Sequence, residues 1–139
     1  MIETPATVLS IKHLLPEVDF VSLGTNDLTQ YTLAAERGNP RLAELFDACH
    51  PAVLRQIALV VEAAHRHGKW AGVCGEIAAD PQAIPILVGL GVDEMSMAPA
   101  SIPAAKELIR RVSSSEAQLL ARQALELGSA GDVRSLAPA

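Results

Sequence analysis

Two periods of hydrophobic and polar residues alternate along this chain. Short β-prone runs at Ile2–Glu3, Val18–Leu23, Trp70–Cys74 and Glu94–Met97 read as strands. Between them apolar residues recur every three or four positions. Pro5 to about Leu15 reads as a helix with Thr4 as its cap, and Asp27–Ala35 as a turn and short helix before a polar loop, Glu36–Arg41. Pro51 opens the longest helix, where Val53, Leu54, Ile57, Val60, Val61 and Ala64 recur until Gly68 stops it. Asp80-Pro81 opens a helix through Leu87, and Ser101-Ile102-Pro103 another through Val112. An amphipathic helix over about Ser115–Leu127 ends at Gly128 and leads into a small-residue tail.

This β-α order, four times over, predicts an α/β fold of parallel strands joined by helical crossovers. Four such units are half of a TIM (β/α)8 barrel, whose usual size is about 250 residues. An open four-stranded α/β sheet is the competing architecture. The chain opens almost on a strand, so a fragment of a longer protein is expected. The first three of these runs also end in reactive groups, as barrel strands do at the rim that carries their active sites.

Composition narrows the class. Half of the 139 residues are hydrophobic but only 3% are aromatic, so Ala, Leu, Val and Ile supply the core. A net charge of −5 with no Lys/Arg cluster argues against nucleic-acid binding. The apolar runs are too short for membrane insertion, and no export signal is visible. Two cysteines, Cys49 and Cys74, suit a reducing cytoplasm.

Candidate chemistry sits at the strand ends. Glu3 and Asp27 are hard oxygen donors suited to Mg2+, which takes one or two carboxylates and keeps water and substrate oxygens for the rest. Helix and turn capping by the same two acids is the alternative. Gly24-Thr25-Asn26-Asp27 can aim backbone N–H groups at an anion, or form a plain Asx turn. Arg37, on the loop that follows, offers a planar fork suited to phosphate, or is simply solvated. Cys74 is either structural packing or an acid, since a thiol keeps its proton at neutral pH yet yields it to a carbanion. Gly75 leaves room beside it, and Glu76 is placed to orient or tune the thiol. Cys49 reads as packing, and His50, His65 and His67 as non-catalytic.

Six segments stand together in one order: Met1-Ile2-Glu3-Thr4-Pro5, Gly24 to Tyr31, Ala35 to Asn39, His50-Pro51-Ala52-Val53-Leu54-Arg55, Gly72 to Glu76 and Ala100-Ser101-Ile102-Pro103. Over about residues 1–112 the chain resembles the PEP-utilising enzymes. Within them it is most similar to Enzyme I of the bacterial sugar phosphotransferase system, with its fused multiphosphoryl-transfer forms. Tyr31 to Asn39 favours that group over pyruvate phosphate dikinase and PEP synthase.

The resemblance implies that residues 1–112 form the C-terminal half of a PEP-binding barrel, strands five to eight, with a helix and tail over 113–139. It implies Mg2+ on Glu3 and Asp27, PEP bound by Asn26, Asp27 and Arg37 with its phosphate on Asn26 and Arg37, and protonation of the enolate by Cys74 to release pyruvate. The phosphoryl group would pass to a histidine on a separate domain. The earlier strands, their phosphate-binding arginines and that histidine have no counterpart here, so isolated turnover is not expected. An association module, a homodimer or higher oligomer covering raw strand edges, is the reading from a different class.

Overall fold

The computed structural model describes residues 1–136. Its elements alternate as β-α units: α1 (Pro5–Leu9), α2 (Ile11–Leu14), β1 (Val21–Gly24), α3 (Thr25–Leu33), α4 (Pro51–Arg66), β2 (Ala71–Cys74), α5 (Ile84–Gly89), β3 (Glu94–Ser96), α6 (Ile102–Arg111), α7 (Ser114–Glu126) and α8 (Ala130–Leu136). Short 3-10 turns lie at Leu15–Glu17, Glu76–Ala79 and Pro99–Ser101.

The three strands form one parallel sheet in the order β1-β2-β3. Ile2 adds a single parallel bridge to Leu23, its N–H donating to Ser22 O at 2.7 Å while Gly24 N–H donates to Ile2 O at 2.9 Å. The expected first strand is thus one bridge. Thr4 ends it by capping α1, its hydroxyl accepting from Thr7 N–H at 3.2 Å.

Register sorts the side chains by face, because alternate strand residues point opposite ways. Ile2, Leu23, Val73 and Met95 form one row, with Val21 and Ala71 on the same side. That face packs against the helices around Leu15, Leu28, Leu54, Ile57 and Leu87, all fully buried. The opposite face holds Ser22, Gly72 and Glu94 in one row, then Gly24, Cys74 and Ser96 in the next. Near its amino end Phe20 and Trp70 stack at 4.2 Å with ring planes nearly parallel, and both remain substantially exposed.

Several element boundaries differ from the pattern, each for a local reason. The strand expected from Val18 starts at Val21, since Pro16 sits in a 3-10 turn whose carbonyls at Leu15 and Val18 accept from Lys69 Nζ. The first helix breaks at Ser10. The helix expected from Asp80 starts at Ile84: the Asp80 carboxylate accepts from Gln82 N–H at 2.9 Å, and its carbonyl from Ala83 and Ile84 N–H, which makes a turn. The expected tail folds as α8, with Ser129 Oγ accepting from Asp132 N–H at 3.2 Å and donating to its carboxylate at 2.7 Å. Residues 137–139 of that tail lie outside the described residues.

α7 lies against α5 at a spacing only small residues permit. A Cβ on Gly89 would stand 2.0 Å from Ala117 O and 2.8 Å from Ala121 Cβ, and Ala117, Ala121 and Ala124 are buried. Arg55 closes the end of α7, its Nε donating to Leu125 O at 2.8 Å. α8 is tied down by Arg134, whose guanidinium reaches both Asp47 oxygens (2.6 and 2.9 Å), Asp80 Oδ2 (2.9 Å) and Gln82 Oε1 (3.0 Å).

Two measurements test this packing. Gly89→Ala, a change worth up to about 1 kcal/mol in favour of an isolated helix, is expected here to lower stability by about 1–3 kcal/mol in denaturant unfolding through overpacking against α7. Acid should weaken the Arg134 tie. Burial pushes the Asp47 carboxyl up, but hydrogen bonds from Arg134 and Cys49 N–H, with the guanidinium charge, outweigh it and hold the pKa below the ordinary 3.8. The folded state therefore favours the ionised acid; its contribution is complete above about pH 4 and is lost as pH falls through the lower folded value. Thermal unfolding followed downward from about pH 5 should steepen in wild type and flatten in Asp47→Asn.

Candidate functional site

The site begins where strands hand over to helices. β1 passes directly into α3 at Gly24-Thr25, with Gly24 as the helix cap. Thr25 is fully buried, and its hydroxyl donates to Cys74 O at 2.7 Å, fastening the start of α3 to the end of β2. Gly75 then turns the chain at φ 116°, a region that favours glycine. A Cβ there would also stand 2.5 Å from Thr25 Oγ1 and 3.2 Å from Asn26 Oδ1. No larger residue fits this junction unaltered.

Glu3 follows the bridge at Ile2 and falls beside Gly24, in the row that continues to Cys74 and Ser96. Its side chain fills the space over Gly24: a Cβ at that glycine would stand 2.7 Å from Glu3 Cγ and 2.9 Å from Oε1. Two strand spacings, about 9–10 Å, separate the backbones of Glu3 and Cys74. Asp27 lies exposed in the first turn of α3, where the helix dipole favours a carboxylate. Neither acid is the cap its residue type suggested, since Thr4 caps α1 and Gly24 caps α3. Among the described residues no hydrogen bond or ion pair engages either carboxylate, nor do three or more His, Cys, Asp or Glu residues converge as a ready metal cage. The pair does match the donor chemistry of Mg2+, which needs few protein oxygens.

Cys74 is half-buried, with its Sγ 3.4 Å from Leu23 O and 3.8 Å from Ser22 Oγ. It opens into a cleft of about 490 Å3 lined with Asn26, Gly75, Glu76, Ser96, Met97 and Ser101. Arg37 stands beside this cleft rather than in it, lining a neighbouring cavity of about 370 Å3 that shares Glu76 as a wall. Gln30 Oε1 accepts from Arg37 N–H at 2.8 Å, and Arg37 Nη2 pairs with Glu76 Oε1 at 3.1 Å. With the Asn26 amide oxygen turned toward the guanidinium, Asn26 accepts from Nη2 at 3.2 Å and Nη1 at 3.3 Å. Glu76 thus engages Arg37, not the thiol it was expected to orient.

Asn26, Cys74, Glu76 and Arg37 therefore form one cluster, with Glu3 on the far side of Gly24 and Asp27 one helical residue beyond Asn26. The sequence assigned no side-chain role at the site to Thr25, Ser96 or Ser101. The Thr25 hydroxyl was legible at a strand-to-helix junction; Ser101 was read only as a helix opener, and Ser96 had no signal beyond lying in the last strand. The histidines do local work: His50 Nδ1 accepts from Ala52 N–H at 3.1 Å, His65 pairs with Asp93 at 2.8 Å, and His67 Nδ1 meets Ala63 O at 2.9 Å.

A family described as "PEP-utilising enzyme, PEP-binding domain" matches residues 1–114. The chain belongs to that family. Similar proteins include "Phosphoenolpyruvate-protein phosphotransferase" of Buchnera aphidicola subsp. Acyrthosiphon pisum, 49% identical over 98% of this chain and 24% of the relative. The protein of the same name from Geobacillus stearothermophilus is 49% identical over 97% of this chain and 23% of its own length. A "Multiphosphoryl transfer protein" of Escherichia coli O6:H1 is 44% identical over 98% of this chain and 16% of its own length. The chain thus spans about a quarter or less of these relatives. Among the described residues no helix is long and apolar enough to cross a membrane.

The two thiols should separate cleanly. Burial pushes the Cys49 thiol up to about 12, despite the opposing charge of Arg134, and the residue is 1% exposed. Since the thiolate is the reactive form, maleimide near neutral pH should label Cys74 alone until the chain is unfolded. Labelling of native Cys74→Ser would contradict the burial of Cys49.

Proposed function

We propose that this chain is the PEP-binding part of an Enzyme I-type PEP–protein phosphotransferase, holding Mg2+ and PEP while a histidine on another domain accepts the phosphoryl group. The observation that carries this is the gathering of Glu3, Asn26, Arg37 and Cys74 about one end of a parallel sheet, in a chain of the PEP-binding family. The names of the relatives favour this over pyruvate phosphate dikinase or PEP synthase.

In this reading Glu3 and Asp27 hold Mg2+, which supplies charge neutralisation for an anionic substrate when bound. Asn26 and Arg37, with Asp27 beside them, position the phosphate, and Arg37 exchanges its exposed contact with Glu76 for phosphate oxygens. When the P–O bond breaks, the phosphorus joins the histidine nitrogen and the bond electrons remain on the enolate. The Cys74 Sγ–H proton then goes to the methylene carbon, giving pyruvate and a thiolate that water reprotonates. Charge placement and orientation dominate such transfers.

The sheet supports a partial barrel as the wider architecture. Its helices cover one face, whereas a doubly wound sheet is covered on both; the other face shows Ser22, Gly72, Glu94 and Ser96 beside the exposed Phe20–Trp70 stack. In the proposed parent, residues 1–112 form the second half of the barrel, with α7 and α8 clamped outside it. Alone, the chain binds Mg-PEP without turning it over, in keeping with a cytoplasmic enzyme assembled from several domains. The exposed stack also favours a second reading, self-association of the isolated chain into a dimer or higher oligomer.

Titration calorimetry with Mg-PEP tests the assignment. Binding should weaken by about tenfold or more in Glu3→Ala, Asp27→Ala and Arg37→Ala, the scale of one charge-assisted contact each. Heats unchanged by both acid substitutions would overturn the metal assignment; heats unchanged by Arg37→Ala would remove that residue from the phosphate site.

A further inference from the structure

The connection from Ala34 to His50 carries Arg37 to the site and contains no regular element. Its own hydrogen bonds are local turns, Asn39 N–H to Glu36 O, Leu42 N–H to Asn39 O and Phe46 N–H to Leu42 O. Near Arg37 it is tied to the body through Gln30 and Glu76, and the Glu76 contact is well exposed at both ends. The firm attachment lies ten residues on, at Asp47. There Arg134, from the last described helix, grips both carboxylate oxygens and spans to Asp80 and Gln82 on the loop after β2. Asp47 returns a further bond to Cys49 N–H at 2.9 Å. The cavity between this clamp and the site, about 290 Å3, has Asn26, Glu76, Asp47 and Arg134 among its walls.

We infer that Arg134 is a positioning residue for the anion site: by clamping Asp47 to Asp80 it holds the Ala34–His50 connection, and with it Arg37, at the mouth of the Cys74 cleft. The assignment rests on Arg37 being the phosphate-binding side chain. It gives α8 a task at the site although α8 contributes nothing to the cleft wall. The planar fork is what the task requires, since one group must meet two oxygens of Asp47 and reach Asp80 at once.

Hydrogen exchange and a double-mutant comparison test it on the whole 139-residue chain. Arg134→Gln should speed amide exchange across residues 36–46 by about tenfold or more, the equivalent of one lost charge-assisted bond, with α4 and β2 amides unchanged. Mg-PEP binding should weaken in Arg134→Gln yet show no added loss when Arg37→Ala is already present. Arg134→Lys, which keeps the charge without the fork, should recover part of both effects and serves if Arg134→Gln folds poorly. Exchange that rises only within 130–136, or evenly along the chain, would overturn the inference, as would an equal binding penalty in both backgrounds. If Arg37→Ala alone binds like wild type, the phosphate reading fails instead, and the exchange pattern decides whether Arg134 holds the connection.

Discussion

A buried side-chain hydrogen bond ties the two halves of the site together. Thr25 Oγ1 donates to Cys74 O at 2.7 Å with the threonine wholly out of solvent, so breaking it leaves buried polar groups unmatched at about 1–3 kcal/mol. Asn26 and Glu76 are placed relative to that bond. Asn26 follows Thr25 by one residue and Glu76 follows Cys74 by two. Gly75 between them adopts a backbone that favours glycine and has no room for a Cβ. The junction thus fixes the end of β2 against the start of α3, and parallel register extends the line from Gly24 through Cys74 to Ser96.

The same face of the sheet shows what glycine does here. A strand loses packing at glycine, yet Gly24 and Gly72 stand side by side with Cys74 in adjoining rows. Each gives up its own side chain to a neighbour's. Glu3 fills the space over Gly24, and Trp70 Cζ3 lies 3.3 Å from where a Cβ on Gly72 would be. Chain entry at Ile2 and the aromatic stack are therefore both written into the strand composition. The apolar faces turned to the helices carry stability, while this face is left small and polar.

The sequence pattern made the β-α order, the parallel sheet and most helix cores legible, because Val53 to Ala64 or Val73 beside Leu23 bury in a period that hydrophobicity reports directly. It was less able to set the ends. Lys69 reaching back to the Leu15 and Val18 carbonyls shortens β1 through a contact some fifty residues away in sequence, which no local pattern carries. The α8 helix did have a signal, Ser129 three residues before Asp132, masked by Gly128 and Gly131 on either side. At the site, Cys74 was legible as a strand-end residue and Asn26 as part of the bend after Gly24. The partner of Glu76 was not, because the Arg37 guanidinium arrives from a turn-built connection whose path depends on attachments elsewhere.

Those attachments set the two arginines apart by magnitude. Arg37 and Glu76 share one contact with side chains 51% and 77% exposed, and such pairs contribute roughly 0–1 kcal/mol. An incoming anion with two oxygens to offer competes easily with that. Arg134 instead bonds two carboxylates that are each about one-fifth exposed, and removing it would strand both with part of their desolvation uncompensated. Its pairing raises its own pKa still further above the ordinary arginine range. The same side-chain chemistry therefore makes a contact easily exchanged in one place and an anchor in the other, and what separates them is how much water each partner has already lost.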